Sequence, residues 1–402
     1  MGANESSRNP PRVTIVADDL TGTVDVAAPL ADRGLDTRAV ASACDRASLD
    51  GAEVVSINTD SRHLPPAAAA ERVGRMSQRL IDPRTEILVK KVDSTLRGNV
   101  VAETLAMLDA TGRRVALVAP GFPAQGRSLV DGVVHVQGVP LPQTSFAKDA
   151  LSPPPREPVH VLFRTAAPSA SVELLRRGEP LPALSAHGQQ ILVVDTATDE
   201  DLRGAIRAVQ GQLSRVLLVG SAGIAHALAD VCFEPAATTF GPRAVDGTVL
   251  FVVGSRAERS AQQVAALLEE GHAYPSRAPN GRVDVESAAG AGAPAVVIVA
   301  MSGCDGREGR ADEVAERLGV GVAELLQRRR VSAVVATGGD TALAILQRLG
   351  VAVLRVACSL LPGIPISRIE TGETSLWFVT KAGGFGSRDA LVTIARRLRA
   401  GA

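Results

Sequence analysis

The chain has 402 residues, 46% of them hydrophobic and 2% aromatic, with 43 basic and 43 acidic side chains and so a formal charge of zero. That length favours two domains or three, and the apolar content is ample for α/β cores. Zero charge and few stacking rings argue against a nucleic-acid partner. The absence of a bilayer-length apolar run, and of an apolar core in residues 1–12, argues against a membrane partner and for a cytoplasmic location.

Residues 12–17 (RVTIVA) read as a buried strand that runs into Asp18-Asp19-Leu20-Thr21-Gly22-Thr23 and a helix ending near Gly34. Strand-like and helix-like segments then alternate: strand 54–57, helix 67–80, strand 86–89, helix 100–108 and strand 114–119. This alternation predicts parallel βαβ units with right-handed crossovers, in which ligands sit at the carboxyl ends of the strands. Residues 132–141 alternate like a hairpin or edge strand, and 142–158 form a Pro-rich loop with Lys148 and Asp149. Strands at 191–194 and 216–219 and a helix at 224–231 complete a first domain, expected over 11–233. Residues 234–247 lack periodicity and carry Pro and Gly, as a linker does. A second domain, 248–400, restarts with strand 248–253, Gly254-Ser255 and a helix to about 270; 280–294 is loop-rich. A strand at 296–300, a helix at 312–329, the stretch 334–346, a strand at 376–380 and a terminal helix follow. The predicted fold class is α/β, two domains each built on a mainly parallel sheet flanked by helices.

The stretch 334–346 (VVATGGDTALAIL) reads as strand, tight turn and helix start. Gly338 and Gly339 have no Cβ, so a phosphate can approach the backbone, and the first N–H groups of the next helix point at it. Thr341 adds a hydroxyl, while Asp340 can orient a cation or cap the helix. An ordinary βα turn with Asp340 as cap is the plainer alternative. A second cluster, Lys381-Ala382-Gly383-Gly384-Phe385-Gly386-Ser387, and a third turn, Gly254-Ser255, also follow apolar strands. Three such turns suggest one nucleotide pocket.

The first half carries the other polar clusters. Asp18 and Asp19 end a buried strand, where they can bind hydroxyls, act as a base or cap the next helix. Lys91-Val92-Asp93-Ser94-Thr95-Leu96-Arg97-Gly98-Asn99 is the densest polar run in the chain, and Asp60-Ser61-Arg62 repeats its theme one strand away. Arg97 suits a small carboxylate and Asp93 suits sugar-like hydroxyls. Together these loops imply a small, polyhydroxylated, anionic ligand. Four lysines stand against 39 arginines, and Lys90, Lys91 and Lys381 fall inside these motifs, where a compact charge is wanted.

Several patterns are missing. No G-x-x-x-x-G-K-[ST] run, no G-x-G-x-x-G with a later acid, and no G-x-S-x-G elbow occurs. Gly220-Ser221-Ala222-Gly223 lacks a third glycine and is read as close helix packing. Cys44, Cys232, Cys304 and Cys358 are scattered, and the six histidines have no ligand spacing, so the metal ligands are left unknown.

Taken together, ADDLTGTVD (17–25), TDSR (59–62), KKVDSTLRGN (90–99), APGFPAQGR (119–127), GSAG (220–223), GS (254–255), TGGDTA (337–342), PGIP (362–365) and TKAGGFGS (380–387) resemble the four-carbon acid sugar kinase family. Its members phosphorylate threonate, erythronate or oxo-tetronates with ATP. The resemblance implies a sugar-acid domain followed by an ATP domain, with the active site in the cleft between them. Carried over by motif, Ser255, Gly338, Gly339, Asp340, Thr341, Lys381, Gly383 and Gly384 would hold ATP. Asp18, Asp60, Ser61, Arg62, Ser94 and Arg97 would hold the sugar acid. Arg256 and Ala257 depart from the small residue and Ser that often follow the GS pair in the family. Mg²⁺ would bridge the phosphates, with Lys91 or Lys381 offsetting charge on the transferred group. Asp19 is favoured as base over Asp93. A homo-oligomer is left open. The rival readings are a nucleotide-dependent oxidoreductase and a non-catalytic sugar-acid binding protein.

Overall fold

A computed structural model describes residues 9–148, 153–236, 240–242, 244–301, 309–372 and 374–400. The chain divides into two compact units, one formed by residues to Thr37 with Asp45–Ala236, the other by Arg38–Cys44 with Ala237–Ala402.

In the first unit, apolar β-branched runs and helices alternate. They give β1 (Val13–Ala17), α1 (Leu20–Ala31), β2 (Thr37–Val40, most of which belongs to the second unit), β3 (Val54–Asn58), α2 (Pro66–Leu80), β4 (Ile87–Lys91), α3 (Val100–Thr111) and β5 (Val115–Ala119). Next come β6 (Arg127–Val130), β7 (Val133–Val136), β8 (Val139–Pro140), α4 (Val159–Ala166), β9 (Ser171–Leu175), β10 (Gln190–Val194), α5 (Asp199–Val209), β11 (Val216–Gly220) and α6 (Ala222–Cys232). The parallel sheet runs β3-β1-β4-β11-β5-β10-β9. Every residue of β1, β3, β4, β5 and β11 is buried, as in strands covered on both faces. Register aligns the strand ends: Ala17 faces Asn58 and Lys91, and Gly220 faces Lys91 and Ala119. The loops that follow therefore emerge along one edge. Residues 132–141 do form a hairpin, β7–β8, inside the antiparallel trio β6-β7-β8. The Gly220–Gly223 turn is a packing device: a Cβ at Gly220 would lie 2.5 Å from the Ala119 carbonyl, and one at Gly223 2.6 Å from that of Gly121.

The second unit contains β12 (Thr248–Val253), α7 (Glu258–Glu269), β13 (Ala273–Pro279), α8 (Val285–Gly290), β14 (Ala295–Met301), α9 (Ala311–Arg328), β15 (Val331–Thr337) and α10 (Gly339–Arg348). It closes with β16 (Val353–Leu361), β17 (Ile364–Thr371), β18 (Thr374–Lys381) and α11 (Ala390–Ala400). Its strands are ordered β13-β14-β12-β15-β18-β17-β16; the first five are parallel, while β17 is antiparallel to both β16 and β18. Phe251, Val297, Val335 and Val379 of the sheet pack in one core with Leu391, Ile394 and Leu398 of α11.

Three features differ from the sequence reading. The stretch 280–294, expected as loop, contains α8 and is preceded by β13. β16 and β17 were not anticipated; they are joined through Pro362 and Gly363, whose φ of 72° a glycine adopts without strain. Residues 38–44 fall inside the expected first domain of 11–233 but count with the second unit. There β2 adjoins β16 and the Ala41 N–H bonds the Ala352 carbonyl at 2.8 Å. Cys44, Cys232 and Cys358 are free thiols; Cys304, like Asp149, lies outside the described residues. No described helix is long and apolar enough to cross a membrane.

Candidate functional site

β1 delivers Asp18 and Asp19 to the carboxyl edge of the first sheet, and they take different tasks. Asp19 is the N-cap of α1, its carboxylate accepting from the Gly22 N–H at 3.0 Å and from Thr21 Oγ1 at 2.5 Å. Asp18 accepts from Arg62 Nε at 2.7 Å and Nη2 at 2.9 Å, and Nη2 also donates to Asp19 at 2.8 Å. Asp93 stands 3.9 Å from the same guanidinium. Asp93 itself accepts from Arg97 Nε at 3.0 Å and Nη2 at 2.9 Å, from the Thr95 N–H at 3.0 Å and from the Thr95 hydroxyl. Burial alone would raise the Asp93 pKa, but Arg97, Arg62 and these donors outweigh it and hold the carboxyl far below its usual range. Burial opposes and Arg62 favours the charged form of Asp18, whose pKa also falls. Gly98, at φ 86°, lets this cluster close; a Cβ there would sit 3.1 Å from Asp18 Oδ2 and 3.3 Å from Arg62 Cγ.

Lys90 and Lys91 point to opposite faces of β4. Lys90 is wholly buried and pairs with Glu103 at 2.9 Å, a partner the sequence reading missed. Ser61, expected to touch substrate, is corrected to a supporting role: it is wholly buried and donates to Glu103 at 2.7 Å, with Thr59 Oγ1 also at 2.7 Å. Asp60 is exposed at φ 47°, Ser94 is half-buried in its loop, and Arg97 is the more accessible of the two site arginines. Lys91 Nζ donates to the Val92 carbonyl at 2.9 Å and lies 3.1 Å from where a Cβ of Gly22 would stand. Its charge acts on Asp25, a motif residue given no role from sequence. Burial raises the Asp25 carboxyl to about 6, with Lys91 opposing and Asp19 reinforcing the shift.

In the second unit β12, β15 and β18 are neighbours, so the three glycine turns meet. The Gly338 N–H bonds the Lys381 carbonyl at 2.9 Å and the Gly254 N–H bonds the Thr337 carbonyl at 3.3 Å. A Cβ at Gly254 would stand 2.0 Å from Thr341 Oγ1, and one at Gly383 2.0 Å from Ser255 Oγ. Gly338, with φ 106° and ψ 134°, is the residue before α10 and has no side chain to cap it. Asp340 is therefore not the helix cap; it is exposed in the first turn, beside N–H groups with no partner inside the helix. Ser255 Oγ accepts from the Ala257 N–H at 3.3 Å.

Lys381 was expected to reach the nucleotide. Instead it is wholly buried, and its ammonium holds the carbonyls of Ala382 at 2.9 Å and Gly383 at 3.1 Å. Burial, with a smaller push from Arg259, lowers its pKa to about 8. The same turn is held by two residues of α7 that no motif contained. Ser260 Oγ donates to the Gly383 carbonyl at 3.0 Å, and Gln263 Nε2 to those of Phe385 at 2.9 Å and Ser387 at 2.8 Å. Their signal is polarity at i and i+3 within the buried stripe that also holds Val264 and Leu267.

Side-chain-free main chain, a helix N-terminus and a buried ammonium beneath it fit a polyphosphate. Among the described residues no group of three or more His, Cys, Asp or Glu is placed to hold a metal ion. A Mg²⁺ held chiefly by phosphates and water, with Asp340 as its one carboxylate, fits that donor set.

Comparison with known proteins agrees with this division of labour. Residues 13–228 match a family described as a sugar-binding N-terminal domain, and 297–391 one described as a nucleotide-binding C-terminal domain. A D-threonate kinase of Bordetella bronchiseptica is 35% identical over 97% of this chain and 98% of its own. A D-threonate kinase of Salmonella typhimurium is 32% identical over 94% and 96%, and a 3-oxo-tetronate kinase of Methylobacterium radiotolerans 28% identical over 93% and 96%. A solved Haemophilus influenzae structure from a family of unknown function shares the fold, with a TM-score of 0.71 at 21% identity, covering 96% of this chain and 100% of its own.

Proposed function

Because the chain belongs to the four-carbon acid sugar kinase family, we propose that it transfers the γ-phosphate of ATP, with Mg²⁺, to a hydroxyl of threonate, erythronate or 3-oxo-tetronate. The observation that carries this reading is the convergence of three glycine turns at the ends of adjacent strands β12, β15 and β18. Bound Mg·ATP supplies the transferable phosphoryl group and most of the neutralising charge.

The chain's own residues position and polarise. The N–H groups at the start of α10 and the turns at Ser255 and Gly383–Gly384 receive phosphate oxygens, with Lys381 stiffening the last turn from below. Asp18, Arg62 and the 91–97 loop orient the hydroxy acid. Asp19 is the better base: Asp93 is saturated by hydrogen bonds and held so acidic that it takes a proton poorly. Lys91, buried against the first turn of α1, offsets charge near Asp19. Coupled ADP release across a panel of four-carbon acids tests the proposal. It should show Mg·ATP-dependent turnover of at least one; silence across the panel from protein that gives no thermal shift with Mg·ATP overturns it.

A further inference from the structure

The run 119–127 (APGFPAQGR) carries family resemblance but no task in the reading above, and it ends on a cation at the same edge as Asp18 and Lys91. β11 separates β4 from β5, with Gly220 facing Lys91 on one side and Ala119 on the other, so the loop after β5 rises beside the polar cluster. The loop is fixed. Phe122 and Arg127 exchange both main-chain hydrogen bonds, at 2.7 and 3.0 Å, Gly126 turns the chain at φ 71°, and Ser221 Oγ donates to the Gly121 carbonyl at 3.0 Å. The half-buried Arg127 guanidinium donates from Nη1 to the Gln125 carbonyl. Its charge interacts with the Asp93 carboxylate and the Arg97 guanidinium, while burial pulls its pKa down, so an arriving anion would stabilise it.

The cations around it are committed inward. Arg62 is bidentate on Asp18 and touches Asp19; Arg97 is bidentate on Asp93; Lys90 is spent on Glu103. Setting Asp18, Asp19 and Asp93 against Arg62, Arg97, Lys91 and Arg127 leaves the rim one positive charge in excess, the complement of a monocarboxylate. We propose that Arg127 receives the carboxylate of the sugar acid and so sets the preference for acids over neutral polyols. A guanidinium fork suits a planar carboxylate. The inference rests on the kinase reading, and its test separates the two.

Wild type and Arg127→Met are compared by ADP release on the accepted four-carbon acid and on its uncharged amide, which keeps the hydroxyls. The variant should raise the KM of the acid on the order of 100-fold, as loss of charge-assisted hydrogen bonds does. The KM for ATP and the kcat/KM of the amide should stay within about threefold, so the acid-over-amide ratio collapses. Arg127→Gln gives the same comparison if the Met variant does not fold. An unchanged ratio, or equal loss on both substrates, overturns the assignment. If wild type turns over no acid, the kinase reading falls, and the thermal shift produced by the acid alone judges Arg127. A shift lost in the variant supports it; one that persists, or is absent from wild type, overturns it.

Discussion

Two carboxylates on neighbouring turns of the first unit behave differently because their surroundings differ. Asp19 caps α1 and borders Lys91, and Asp19→Asn keeps a cap while removing the proton acceptor. Turnover should fall by about 10²–10⁴ with the KM for ATP nearly unchanged, measured by steady-state ADP release; near-normal turnover would dismiss Asp19 as base. Asp25 is protonated in the folded chain up to about pH 6, against an ordinary value of 3.8. Between those limits the folded state holds a proton that the unfolded state has released, so this residue's contribution to stability declines as pH rises through that window. Urea midpoints of wild type and Asp25→Asn across pH 4 to 7 should diverge in favour of the variant as pH rises, whereas a constant gap would contradict the shift. Sequence alone could list Asp18, Asp19, Arg62 and Asp93, but not that one guanidinium binds the first two and approaches the third. Partners 43 and 44 positions apart meet only through strand order. Ser61 illustrates the converse, since nothing local reveals that a serine between Asp and Arg is sealed against Glu103.

At the level of elements, the glycine turns are legible because their chemistry is local: a strand, a residue without Cβ, a helix start. What braces them is not. Gln263 and Ser260 sit in α7 and act on a turn more than a hundred residues later. The turn makes a paired prediction. Gly383→Ala places a Cβ 2.0 Å from Ser255 Oγ, so it should raise the KM for ATP at least about tenfold and lower Tm by a few degrees. Gly384 has open space around its would-be Cβ. Gly384→Ala should leave Tm unchanged and raise the KM for ATP only through contact with the nucleotide itself. Calorimetry and ADP-release kinetics on the two variants separate these effects, and equal Tm loss in both would refute the geometry. The hairpin β16–β17 had a signal, the Pro362-Gly363 pair between apolar runs, which is a turn signature as well as a family motif.

Across the whole molecule, the α/β class and the alternation of parallel units followed from periodicity, since fully buried strands advertise themselves as continuous apolar runs. The exchange of residues 38–44 into the second unit left no such mark, because a short strand of ordinary composition does not state which neighbour it joins. That exchange bears on how the protein can be taken apart. A fragment beginning at the linker would carry β16 with its outer rim bare, offering unpaired amides and carbonyls to any passing chain. Anyone grafting the rear module onto another front half would have to bring the heptapeptide 38–44 along, or expect clumped material. On the ribosome, that heptapeptide waits for its neighbour until nearly the whole polypeptide has emerged.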